Sequence, residues 1–160
     1  MLIVHSDLDG TFPAFSVHAS TLEELPPSLV APSPRFVLFL AADTQSVDGP
    51  ALVEWAVEIL NRGASYVCCW GPGCERLEAC FDEASGAREN WEPGERVIMT
   101  TAHAAESLIE AAWFALHSAI PDDGWAEGTG AVILATVGNA VWSAELSSYL
   151  RAGAPLPAAP

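Results

Sequence analysis

Between residues 35 and 153 the chain repeats one pattern four times: a short, unbroken apolar run, then a stretch whose apolar positions recur every three or four residues. Phe36-Val37-Leu38-Phe39-Leu40 is the first run, and its lack of alternation marks a strand covered on both faces. Asp48-Gly49-Pro50 then signals a helix start, and Leu52, Val53, Ala56, Ile59 and Leu60 form a stripe that stops before Gly63. In the second unit the strand Ser65-Tyr66-Val67-Cys68-Cys69-Trp70 turns at Gly71-Pro72-Gly73 into a helix carrying Cys74, Leu77, Phe81 and Ala84 on one side. The third, residues 96–118, joins the buried run Val97-Ile98-Met99 and Thr100-Thr101 to a helix opened by Ser107, with Glu110 at capping-box spacing. A polar connection over residues 121–130 leads to the fourth strand, Ala131 through Val137, and to a closing helix with Val141, Trp142, Glu145, Leu146, Tyr149 and Leu150.

Four such units predict an α/β fold: a compact three-layer, Rossmann-like or flavodoxin-like domain with a mainly parallel sheet of about four or five strands. The domain spans residues 35–153, preceded by a proline-rich arm over 1–34 and followed by a flexible tail over 154–160. Within the arm, Leu2 to His5 is a candidate edge strand, and Pro13, Pro26, Pro27, Pro32 and Pro34 forbid a long helix. A parallel sheet gathers the loops after its strands along one rim, which here would carry Asp43, Trp70 to Cys74, Thr100 to Glu106, and Gly138-Asn139.

Composition narrows what this rim can meet. The 160 residues fit one domain, and 51% hydrophobic residues supply a sizeable core. The net charge is −15, from 21 acidic residues against six basic ones, all arginine. That balance repels phosphate backbones and anionic membrane surfaces, and it favours a basic protein partner. The lack of lysine beside abundant alanine points to a GC-rich bacterial genome. No apolar run reaches the ~18 residues of a spanning helix, and the first residues lack a signal-peptide pattern, so a cytoplasmic location is expected. Cys68, Cys69, Cys74 and Cys80 fall on apolar stretches, as reduced core thiols do. Their spacing matches no zinc pattern, and neither a metal nor a cofactor is expected.

Three sets of residues are candidates for chemistry or recognition. Asp7-Leu8-Asp9-Gly10-Thr11 resembles the D-x-D-G-T signature of haloacid-dehalogenase-type phosphatases, which implies Asp7 as nucleophile and Asp9 as acid/base beside magnesium. That family also needs a later lysine or arginine and a late acidic pair on a strand end; here there is no lysine, and Asp122-Asp123 follow Pro121 in a loop. Cys74, in the first turn of a helix, could act as a thiol nucleophile with His103 as its base and Glu106 or Asp43 orienting the ring, which would make a hydrolase site on the rim. The plainer reading of Cys74 is a buried packing residue beside Leu77 and Phe81. Gly71-Pro72-Gly73 is too short for a Walker loop and is followed by Glu75, so it reads as a tight turn. Finally, Glu110, Trp113 and His117 follow helical spacing, with Asp122, Asp123, Trp125 and Glu127 just beyond, an acidic surround with aromatic anchors suited to a basic protein.

The pieces Trp70-Gly71-x-x-Cys74 and Val97-Ile98-Met99-Thr100-Thr101-x-His103-x-x-Glu106-x-Leu108-x-Glu110-x-x-Trp113-Phe114 resemble an uncharacterised bacterial domain-of-unknown-function family over roughly residues 35–137. The chain departs from that pattern at Ala102, where an aromatic residue is expected, and at Ala104-Ala105, where acidic ones are. The resemblance implies one small domain and brings no chemistry with it. The leading expectation is therefore a non-catalytic, immunity-like or adaptor-like binding protein, with the Cys74/His103/Glu106 hydrolase and the Asp7/Asp9 phosphatase as alternatives.

Overall fold

Every residue from Phe36 to Ala41 is wholly buried, although the strand they form is only seven residues long. In a computed structural model that describes residues 3–5, 12–87 and 97–158, this strand lies inside a single sheet with helices on both faces. The elements in chain order are β1 (Ile3–His5), β2 (Ala14–Ala19), α1 (Leu25–Ser28), β3 (Arg35–Ala41), α2 (Gly49–Asn61), β4 (Ala64–Trp70), α3 (Cys74–Gly86), β5 (Met99–Ala102), α4 (Leu108–His117), α5 (Asp123–Ala126), β6 (Thr129–Val137) and α6 (Ala140–Arg151). The strand order is β1-β2-β6-β3-β4-β5, parallel throughout except that β1 pairs antiparallel with β2.

Side-chain alternation along β3 builds the two outer layers. Phe36, Leu38 and Leu40 join Leu52, Ile59, Leu77 and Phe81 in the core beneath α2 and α3. Val37, Phe39 and Ala41 join Ala111, Ala115, Leu146 and Leu150 beneath α4 and α6. The expected three-layer α/β fold is thus present, and its apolar runs lack alternation because both faces are covered. Local signals set the helix starts: Asp48 accepts a hydrogen bond from the Ala51 N–H at 3.5 Å, and Ser107 and Glu110 close a capping box on α4. No helix among the described residues is long and apolar enough to cross a membrane.

Two expectations change. The proline-rich arm contributes β2 to the sheet, where Ala14 to Ala19 pair in register with Val132 to Val137. The run Val97-Ile98-Met99 is not a buried strand: β5 starts only at Met99, and Val97 and Met99 are exposed because β5 is the sheet edge. The D-x-D-G-T segment and the phosphatase reading of Asp7 and Asp9 lie outside the described residues.

The layer assignment also places the rim at the carboxyl ends of the strands. After β4 the chain turns to the α3 face, and after its neighbour β5 it turns to the α4 face. The same divergence occurs between β3, followed by α2, and β6, followed by α6. Where adjacent strands send their chains to opposite faces, a crevice opens at their carboxyl ends. β2, followed by α1 on the α2/α3 face, diverges from β6 in the same way, so the ends of β2, β3 and β6 frame one crevice and those of β4 and β5 another.

Candidate functional site

The first crevice, about 610 Å³, lies between the ends of β4 and β5. Its floor is the turn at residues 71–73. Gly71, with φ +108°, and Gly73, with φ +82°, let this turn approach the β3–α2 loop so closely that an added Cβ would lie 2.6 Å from the Ala42 carbonyl oxygen or 2.9 Å from Thr44 Oγ1. Thr44 N–H donates to the Pro72 carbonyl at 3.0 Å, which ties the two loops together. Trp70 forms one wall: its indole N–H donates to the Glu106 carbonyl at 2.9 Å, pinning the β5–α4 loop. Trp142, from the first turn of α6, meets Trp70 edge to face with ring centroids 5.1 Å apart.

His103 is the most constrained group here. It continues the strand ladder, donating its N–H to the Cys69 carbonyl at 2.9 Å, and its ring is buried against Phe114 at 4.8 Å. Nδ1 lies 2.9 Å from Glu106 Oε2 and Nε2 lies 2.9 Å from Thr101 Oγ1. An ionised carboxylate only accepts, so the proton sits on Nδ1, and in the neutral ring Nε2 accepts from the Thr101 hydroxyl. Of the two carboxylates named beside His103 in the sequence, Glu106 meets the ring and Asp43 lies in a separate crevice. Cys74 lines the same crevice, but its thiol has no hydrogen bond to the imidazole. Burial pushes the Cys74 thiol above its ordinary value, against the backbone amide of His103 and those of the first helical turn. Both ring nitrogens of His103 are thus engaged, by Glu106 and Thr101, and Cys74 stands outside that chain of contacts. Thr101 completes a hydroxyl–imidazole–carboxylate chain, but it does not line the crevice and its side chain also meets Tyr66 and Cys68. The chain of contacts holds the ring in place.

The second crevice, about 520 Å³, lies at the ends of β3 and β6 and shares Trp142 with the first. Asp43, Ser46 and Asn139 line it, and Asn139 Oδ1 caps α6 by accepting from Val141 N–H at 3.0 Å and Trp142 N–H at 3.1 Å. Carboxylates therefore stand on both sides of the tryptophan pair, Glu75 and Glu106 on one and Asp43 on the other. The guanidinium in the lining, Arg76, donates to the backbone carbonyls of Thr44 at 3.1 Å and of Val47. Among the described residues no group of three His, Cys, Asp or Glu side chains is placed to hold a metal ion.

The partner-binding patch expected from Glu110, Trp113 and His117 with Asp122, Asp123, Trp125 and Glu127 beyond them is divided. Glu110 closes the capping box, receiving the Ser107 N–H at 2.7 Å, and Asp122 caps α5 through the Gly124 N–H at 2.9 Å. Trp113 and His117 lie ring to ring at 5.0 Å. Trp125 packs against the core on the α2/α3 face, donates to the Val97 carbonyl at 3.1 Å and sits 4.3 Å from the Arg35 guanidinium. Asp123 and Glu127 stay in solvent. Because α4 covers the opposite face, Trp113 and Trp125 do not share one patch.

Residues 14–152 match the model of a family described as Domain of unknown function (DUF7684). The chain belongs to this family. The match begins at the first residue of β2 and ends at the C-cap of α6, so the DUF7684 unit is the five parallel strands with their helices, and β1 lies outside it. This agrees with the resemblance to an uncharacterised domain family. No curated protein matches the chain. Within the DUF7684 unit, Trp142 and Arg76 line the crevice although sequence reasoning assigned them no role. For Trp142 a signal existed: it follows Gly138-Asn139 by one helical turn, which places it on the rim.

Proposed function

We propose that this DUF7684 domain is a binding domain without catalysis of its own, and that its partner is a basic protein whose arginine or lysine side chains enter the rim groove. The observation that carries this reading is the groove wall. Trp70 and Trp142 present aromatic surface at the junction of two crevices, flanked by Asp43, Glu75 and Glu106, while the lining guanidinium is engaged by backbone carbonyls. Tryptophan faces bind guanidinium and ammonium groups, and surrounding carboxylates add charge complementarity. A net charge of −15 draws such a partner in from a distance. This fits a protein that neutralises or scaffolds a basic partner. Four buried free thiols accord with a reducing compartment such as the cytoplasm.

The test is a fluorescence titration with a short arginine- and lysine-rich peptide of about four residues and with its glutamate-substituted counterpart. The reading expects saturable binding of the basic peptide only, weakened by added salt and lost in Trp142→Ala and in the exposed double variant Asp43→Asn/Glu75→Gln. Equal binding of the acidic peptide, or affinity indifferent to both variants, would sink it.

A further inference from the structure

The two rim crevices do not end at the rim. Leu22, in the turn after β2, lines both the second crevice and a third depression of about 280 Å³ against α2. Val47 and the edge of Trp55 give this depression an apolar floor, and Trp55 is fixed there because its indole N–H donates to the Leu22 carbonyl at 2.8 Å. Glu23, Glu54 and Glu58 stand around it. The cation paired with them is Arg62, which meets Glu58 only at 3.9 Å from a half-exposed position. Trp142 joins the first depression to the second, and Leu22 joins the second to the third.

From this continuity we infer that the partner is bound as an extended basic polypeptide segment, running from the Trp70–Trp142 pair across Leu22 to α2 and seating one apolar side chain beside Trp55. The inference rests on the rim reading and adds the shape of what is bound. Each rim crevice falls in the size range of a small-molecule pocket, and the three depressions together, at about 610, 520 and 280 Å³, hold more than one compact ligand fills. Its chemistry changes along its length in the way a peptide requires: carboxylates recur in all three depressions, apolar anchors alternate with them, and side-chain amides lie between. Among the described residues the Gln45 side-chain amide has no hydrogen-bond partner, and the Asn139 cap uses only the amide oxygen, which leaves donors for a peptide backbone.

Two probes separate this inference from the rim reading: the short basic peptide, and a basic peptide of about a dozen residues, roughly 40 Å when extended, containing one leucine. The exposed charges on α2 can be removed without touching the core, so Glu54→Gln/Glu58→Gln is expected to weaken the long peptide about three- to tenfold and to leave the short one unchanged. Asp43→Asn/Glu75→Gln is expected to weaken both. If the α2 variant binds the long peptide as tightly as the parent protein, the extended track is overturned while rim binding stands. If neither peptide responds to the rim variant or to Trp142→Ala, the rim reading falls and the track falls with it.

Discussion

His103 is conspicuous in the sequence, and the structure holds it from every side. Its ring is buried, both nitrogens are engaged at 2.9 Å, and the two partners sit within three residues of it in the chain. The local arrangement explains why the β5–α4 loop keeps its shape and why Glu106 stays at the crevice mouth. Removing the Thr101 hydroxyl leaves Nε2 buried without a partner, which costs about 1–3 kcal/mol. Thr101→Val should therefore lower the urea midpoint clearly with an unchanged slope, whereas Thr100→Val, whose hydroxyl meets only exposed Asp82, should change stability by about 0.5 kcal/mol or less. Equal effects of the two substitutions in urea melts would show that the hydroxyl does not hold the ring.

At the scale of elements, β4 concentrates the consequences of full burial. Burial pushes the Cys68 thiol up to about 12 from the ordinary 9.0, and it pushes Cys69 well above that ordinary value. Between those limits the unfolded chain releases thiol protons that the native chain keeps. Stability is then complete below pH 9.0 and falls as pH rises, by about 1.4 kcal/mol per pH unit for each such thiol. Tyr66 and Tyr149, also raised by burial, steepen the fall above 10.0. Urea melts on either side of pH 9.0 should show this loss, and Cys68→Ala should flatten it; stability level across that range would mean that the thiols reach solvent in the native state. The burial behind this effect was also what made β3, β4 and β6 legible, since a strand covered on both faces reads as an unbroken apolar run; the shorter run at Val97-Ile98-Met99 gave the same signal without being covered on both. The helix starts were legible too, because Asp48, Ser107 and Glu110 act within one turn of themselves. By contrast β2 was not: Ala14-Phe15-Ser16-Val17-His18-Ala19 places polar Ser16 and His18 among small and apolar residues, and only pairing with β6 makes it a strand. Half of the site was equally hidden. His103 and Glu106 lie three positions apart, but Trp70 meets Trp142 through strand order, which no local pattern encodes.

The whole molecule is governed by its charge, and that charge acts in two opposite ways. With −15 on 160 residues, carboxylates outnumber the cations that could neutralise them more than threefold. Six arginines against 21 carboxylates are too few to offset the repulsion, and Arg62 meets Glu58 only at 3.9 Å. Folding brings these charges closer than the unfolded chain does, so screening favours the native state. Adding salt, which shortens the Debye length from about 30 Å near 0.01 M to about 8 Å at physiological strength, should raise the thermal midpoint. A gain of about 1 kcal/mol corresponds to roughly 2–4 °C for a domain of this size. Binding of a basic peptide has the opposite sign, because the same screening weakens attraction across the groove. Thermal melts and peptide titrations over one salt series should therefore diverge, with stability rising while affinity falls. Affinity that rose together with stability would identify apolar contact at Trp70, Trp142 and Trp55 as the dominant attraction, and the carboxylates around them would then serve solubility alone.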